Sequence, residues 1–170
     1  FPRVRIGVSS CLLGQEVRYN GGHKKDRFLV SSLSQFVDYV PICPEVATGL
    51  GVPRPPIRLV GNPESPKAVG TDDPTMDVTA SLQSFAREQV QTLGEISGYI
   101  LKKDSPSCGM ERVKVYSEKG GAPQRKGKGV FAQVLMERLP LLPIEEEGRL
   151  NDPVLKENFL PAFTDLKRCI

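Results

Sequence analysis

The stretch Arg3-Val4-Arg5-Ile6-Gly7-Val8-Ser9-Ser10-Cys11-Leu12-Leu13-Gly14 decides how the chain is read. Val4, Ile6 and Val8 alternate with Arg3, Arg5 and Gly7, the period-two pattern of a short strand near the N-terminus. The strand delivers Ser9, Ser10 and Cys11 into a turn that Gly14 ends. In open α/β sheets, reactive residues gather just beyond the carboxyl ends of the strands. Cys11 stands at such a place, and two more cysteines repeat the arrangement. An apolar strand at residues 39–42 runs into Cys43-Pro44-Glu45, and a strand at residues 98–101 is followed by Lys102-Lys103-Asp104-Ser105-Pro106-Ser107-Cys108.

Working outward, helices are expected between these strands. Phe28, Leu29, Leu33, Phe36 and Val37 fall at helical spacing behind Asp26, a suitable N-cap. After Asp77, the stripe Leu82, Phe85, Ala86, Val90 and Leu93 opposes Gln83, Arg87, Glu88 and Gln91, which predicts a helix packed on the sheet. A further helix is predicted around residues 130–138, then a last strand over residues 141–144. Asp152-Pro153 has the form of an N-cap and first turn for a short helix over 154–159. Residues 47–74 are too rich in Gly and Pro for a regular helix. They read as an ordered, extended excursion that covers a site, with an edge strand at 57–60. Residues 112–116 alternate like a half-exposed strand, and residues 120–129 read as a mobile basic loop. The alternation of strands and helices predicts an α/β fold, a mostly parallel Rossmann-like sheet flanked by helices. Residues 1–150 form the α/β domain in this reading. Residues 151–170 are a helical extension or the start of a linker.

At 170 residues, 39% hydrophobic and 25% charged, the chain has the composition of an ordinary globular domain and needs no disulfide to fold. Trp is absent and aromatics make up only 6%, which argues against a stacking platform for single-stranded nucleic acid. A net charge of +3 permits a phosphate-bearing partner without demanding one. No apolar run reaches the length of a membrane span and no signal-peptide pattern is present. A cytoplasmic, reducing setting is therefore expected, where cysteines serve metals or catalysis rather than disulfides. Cys169, next to the chain end, is read as incidental.

Cys11, Cys43 and Cys108 form no local metal-binding motif, because 32 and 65 residues separate them. Topology supplies what spacing does not: the carboxyl ends of parallel strands share one edge, so the three turns converge on one crevice. Three thiolates held together need a cation, and soft thiolates select zinc, copper(I) or an iron–sulfur cluster. Zinc needs a fourth ligand, for which His23, the only histidine, is available. A four-iron cluster on three cysteines instead leaves one iron open as a Lewis acid.

Several motifs occur in fixed order: Val-Ser-Ser-Cys-Leu-Leu-Gly (8–14), Val-Arg-Tyr-Asn-Gly-Gly-His-Lys (17–24), Cys-Pro-Glu-Val (43–46), Gly-Leu-Gly-Val-Pro-Arg-Pro-Pro-Ile-Arg-Leu-Val (49–60) and Ser-Pro-Ser-Cys-Gly (105–109). Over residues 4–142 the chain resembles the thiouracil desulfidase family. The resemblance implies a [4Fe-4S] cluster on Cys11, Cys43 and Cys108, whose fourth iron takes the thiocarbonyl sulfur of a thiolated nucleobase, nucleoside or tRNA. Sulfur then leaves as sulfide without net redox chemistry. It also implies catalytic roles for Glu45, two residues past the second cysteine, and Ser105, three before the third. A carboxylate beside the cluster can deprotonate the attacking water, and Ser105 can hydrogen-bond substrate or water. Ser10, Arg18, Arg54 and Lys102 are the expected substrate-binding residues, with Arg58 and Lys103 further candidates for phosphate contact. Ser9, Ser10 and Gly14 are suited to hydrogen-bond cluster sulfurs. The 69–77 and 151–159 stretches resemble longer members that act on 4-thiouridine in tRNA and carry a helical second domain. Because the chain stops near where that domain would begin, it is expected to be an excised catalytic domain.

Two other readings compete. A low-molecular-weight phosphatase needs five residues between its Cys and Arg, whereas Cys11 and Arg18 enclose six, and that chemistry leaves Cys43 and Cys108 idle. A non-catalytic zinc- or cluster-bearing RNA-binding or sensor module would use the basic 120–129 segment for phosphate contact.

Overall fold

The structure is a computed structural model that describes residues 4–93 and 96–155. β1 (Val4–Ser9) runs into a 3₁₀ turn at Ser10–Leu13, and a helical segment follows at Phe28–Gln35. Then come β2 (Val37–Ile42), the one-turn helix α1 (Pro44–Ala47), β3 (Ile57–Val60), β4 (Lys67–Gly70) and α2 (Thr79–Thr92). The chain continues through β5 (Gly98–Leu101), β6 (Val113–Tyr116), β7 (Gln124–Gly127), α3 (Val130–Arg138) and β8 (Ile144–Glu146).

Two four-stranded sheets result. The first has the order β2-β1-β5-β8 with every neighbouring pair parallel, as the sequence pattern predicts. The second, which the pattern did not reveal, has the order β4-β3-β6-β7 and mixes parallel and antiparallel pairs.

Alternation in the strands sorts side chains to the two faces of the parallel sheet. Ile6, Val8 and Ile100 join Leu29 and Leu33 on one side, while Tyr99 and Leu101 join Ala86, Phe131, Ala132 and Leu135 of α2 and α3 on the other. Gly7 is required between Ile6 and Val8. It pairs with Tyr99 across the ladder, and a Cβ there would come within 2.3 Å of the Tyr99 ring. α2 serves both sheets, since its fully buried Leu82 packs with Leu59, Val113 and Val115 of the second sheet. Burial of that one side chain contributes roughly 1.5–3 kcal/mol.

Four expectations are corrected. The 28–37 helix is a wide π turn at Phe28–Ser32 and a 3₁₀ turn at Leu33–Gln35, with Val37 already in β2. Asp26 does cap it, Oδ1 accepting the Leu29 N–H at 3.1 Å. β3 is an interior strand rather than an edge, because its partner β6 lies more than fifty residues downstream and leaves no local trace. The basic 120–129 segment is not a loop throughout. β7 pairs with β6 through its backbone while Gln124, Arg125 and Lys126 stay exposed, so no alternation betrays it. The last strand starts at Ile144, and Leu141 is 96% exposed.

Near the end of the described chain, Asp152 Oδ1 accepts the Val154 N–H, as an N-cap does. Cys169 and residues 156–159 of the expected terminal helix lie outside the described residues. No helix among the described residues is long and apolar enough to cross a membrane.

Candidate active site

Each of the three cysteines follows one of three adjacent parallel strands: Cys11 follows β1, Cys43 follows β2 and Cys108 lies beyond β5. Cys11 sits in the 3₁₀ turn, its carbonyl accepting the Gly14 and Lys24 N–H groups. Cys43 caps α1, where Pro44 at the first helical position forces the chain out of the strand. Cys108 belongs to a tight loop organised by Ser105. The Ser105 hydroxyl oxygen accepts the Cys108 N–H at 3.0 Å and the Ser107 N–H at 3.3 Å, and its carbonyl accepts the Gly109 N–H at 2.8 Å. The start of α3 backs this loop. Val130 N–H donates to Pro106 O and Ala132 N–H to Ser107 O, so donors that the first turn of a helix leaves over are used to seat the loop. Gly129 allows the close approach: a Cβ there would lie 2.5 Å from Ser107 O and 2.7 Å from Cys108 N.

All three cysteines line one cavity of about 440 Å³ together with Ser9, Ser10, Glu45 and Ser105. Arg18, Arg54 and Lys102 line it as well, so the three cysteines, Glu45, Ser105 and the four expected substrate-binding residues share one cavity, whereas His23 and Arg58 lie outside it. The thiols of all three are free. Burial pushes Cys11 up to about 11 and Cys108 up to about 12, and raises Cys43 too. The charge of Cys43 bears on both of the others, raising each further. Lys102 opposes the rise at Cys11, and a hydrogen bond from Ser9 opposes it at Cys108. Two buried sulfur donors and a half-buried one, Cys43, whose charge bears on both, are a poor set of free thiolates and a good set of ligands for a soft cationic centre. Tyr99, fully buried, finds no hydrogen-bond partner for its hydroxyl among the described residues, and the charges of Cys43 and Cys108 bear on it.

No three His, Cys, Asp or Glu side chains among the described residues stand close enough to hold a single metal ion. His23 does not line the cavity; its Nδ1 accepts the Lys25 N–H and closes a local turn.

Glu45 is held from both sides. Arg54 Nε donates to Oε1 at 3.1 Å and Ser107 Oγ to Oε2 at 2.8 Å, with Ser105 Oγ 3.1 Å from Ser107 Oγ. The Gly/Pro-rich excursion is thus an ordered cover, as expected: it brings Arg54, Pro56 and Ile57 to the cavity, and Arg54 N–H donates to Tyr19 O at 2.8 Å. The Arg54 guanidinium is engaged with Glu45 and Gly51 O. Arg18 lies over the Tyr19 ring, and Lys102 pairs with Glu147 at 3.6 Å. Lys103 also lines the cavity, whereas Arg58 stacks on Tyr116 in the second sheet.

Ser107 escaped the sequence reading although it touches both Glu45 and Cys108 Sγ. Its only signal was its place between Pro106 and Cys108. Glu145, Glu146 and Glu147, all buried, were also missed, because a run of three acids gives no signal of burial.

Residues 6–147 match the 2-thiouracil desulfurase family. The uncharacterized protein YbbK of Bacillus subtilis is 33% identical over 164 residues, 86% of this chain and 98% of YbbK. Among solved structures, the [4Fe-4S]-dependent thiouracil desulfidase TudS superposes with a TM-score of 0.67 at 29% identity, covering 93% of this chain and all of TudS.

Proposed function

The chain belongs to the 2-thiouracil desulfurase family, and from that premise we propose that it is a [4Fe-4S]-dependent thiouracil desulfidase whose cluster is held by Cys11, Cys43 and Cys108. The observation that carries this reading is the convergence of three free cysteines, Glu45 and Ser105 on one cavity at the carboxyl ends of adjacent parallel strands. TudS, a structural relative, is [4Fe-4S]-dependent.

When bound, the cluster supplies a Lewis-acidic iron that draws electron density from the substrate's C=S bond. The remaining work falls to the chain. Glu45 takes the proton from the water that attacks the ring carbon, and the carbonyl form of the base is left as sulfide departs. Arg54 and Ser107 hold its two oxygens in one orientation and so restrict the directions from which the water can be deprotonated. Ser105 acts at the other end of the hydroxyl pair, hydrogen-bonding substrate or water while its oxygen also orders the Cys108 loop. Ser10 and Lys102 contact the substrate. Arg18, Lys24 and Lys103, which line the same cavity, support phosphate-bearing forms, a thiouridine nucleotide or thiolated tRNA, beside the free base. Residues 151–170 would then be an extension or a linker toward a helical second domain. Three free thiols suit a reducing cytoplasm.

The test is anaerobic reconstitution with iron and sulfide, followed by measurement of sulfide released from 2-thiouracil, 4-thiouridine monophosphate and thiolated tRNA. Release from at least one, abolished in Glu45→Ala protein that keeps its iron, is the expected result. A cluster-loaded protein inert on all three would refute the enzymatic reading and favour a binding or sensor module.

A further inference from the structure

We propose that Glu146 and Glu147 are positioning residues that clamp the two ends of the Cys108 loop and so set the place of that thiol. Going beyond the desulfidase reading, the role depends only on how residues 102–110 are held. Glu145, Glu146 and Glu147 are 6%, 4% and 9% exposed, at and just past the carboxyl end of β8. Glu145 is occupied with Arg149. The other two face the loop. Glu147 Oε1 accepts the Lys103 N–H at 2.6 Å and Oε2 pairs with Lys102 Nζ at 3.6 Å, at the start of the loop. Glu146 Oε2 accepts the Met110 N–H at 2.7 Å, at its end. Charge-assisted bonds of this kind are the stronger class.

The loop needs such a grip. Asp104 (φ 62°), just inside the start of the loop, and Arg112 (φ 55°), two residues past Met110, are held in the left-handed region that side chains other than glycine disfavour. Release at either end lets the backbone leave that region and lifts Cys108, 5% exposed, from its seat on α3.

The test is iodoacetamide alkylation of metal-free, folded protein, read cysteine by cysteine by mass spectrometry. In Glu146→Ala protein, Cys108 should react about tenfold faster, the opening expected from loss of one hydrogen bond to a charged group. Cys43, held by the β2–α1 turn, should keep its rate as internal reference, and Glu146→Gln, which retains an acceptor, should restore the slow rate. Glu147→Ala makes the same comparison at the other end and stands alone if Glu146→Ala does not fold. An unchanged Cys108 rate, or equal acceleration of Cys108 and Cys43 through general loosening, would overturn the proposal. Because no cluster or substrate enters, failure here is separable from failure of the desulfidase reading.

Discussion

Ser107 Oγ donates to Glu45 Oε2 across 2.8 Å, joining the loop beyond β5 to the turn after β2. The contact spans sixty-two residues of sequence and holds the carboxylate beside Cys108. Replacing Glu45 by Gln keeps the shape and removes the base, so sulfide release per iron should fall about 10²- to 10⁴-fold. Ser107→Ala leaves the base but frees its orientation, and a loss of about tenfold in kcat is expected with iron content unchanged. Steady-state rates normalised to iron decide both; equal rates in Glu45→Gln and unaltered protein would remove Glu45 from the mechanism.

Arg54 is the cationic partner of Glu45, and both side chains are largely buried, at 3% and 13% exposure. Its removal strands a carboxylate in the cavity wall. Arg54→Ala should therefore destabilise the fold by about 3–5 kcal/mol, a fall in Tm on the order of 10 °C. Arg54→Lys keeps the charge without the planar fork and should recover part of that loss. Thermal unfolding of the three proteins is the check, and an Arg54→Ala protein as stable as its parent would count against a structural pair.

Burial holds the thiols of the metal-free protein protonated, with Cys11 at about 11 and Cys108 at about 12 against an ordinary 9.0. A group whose pKa is higher folded than unfolded stabilises the fold fully below the unfolded value, and that contribution is lost as pH rises through the folded one. Metal-free protein should thus lose stability progressively from about pH 9 to pH 12, whereas cluster-loaded protein, its sulfurs already deprotonated, should lack this slope. Denaturant midpoints across that range supply the comparison.

A methyl group at position 129 would meet backbone atoms of Ser107 and Cys108, not a flexible side chain that can move aside. Gly129→Ala should cost about 1–3 kcal/mol and lower the iron retained per chain. Retention of full iron with unchanged stability would mean that the seat of the loop on α3 is slack.

Much of this site was legible in the sequence because strand alternation and parallel topology are both written locally. Val4, Ile6 and Val8 mark β1, the apolar run before Cys43 marks β2, and parallel order then sends Cys11, Cys43 and Cys108 to one edge. What stayed hidden was non-local. β3 and β6 pair across a long interval, and β7 joins the sheet through its backbone with only Gly127 buried. Arg54 looked like a phosphate contact because its partner Glu45 lies across a Gly/Pro-rich excursion whose path no periodicity reveals. Glu146 and Glu147 carry no local signal of their role, because the amides they accept from come from a loop some forty residues away.

Iron and acid-labile sulfide, counted per chain after anaerobic reconstitution of the unaltered protein and of Cys11→Ser, Cys43→Ser and Cys108→Ser, probe the shared centre most directly. Four irons and four sulfides in the parent, with loss of the intact cluster in each of the three variants, is the predicted result. A variant that keeps the full complement, or a parent that takes up a single zinc ion in place of the cluster, would contradict a centre built on these three cysteines.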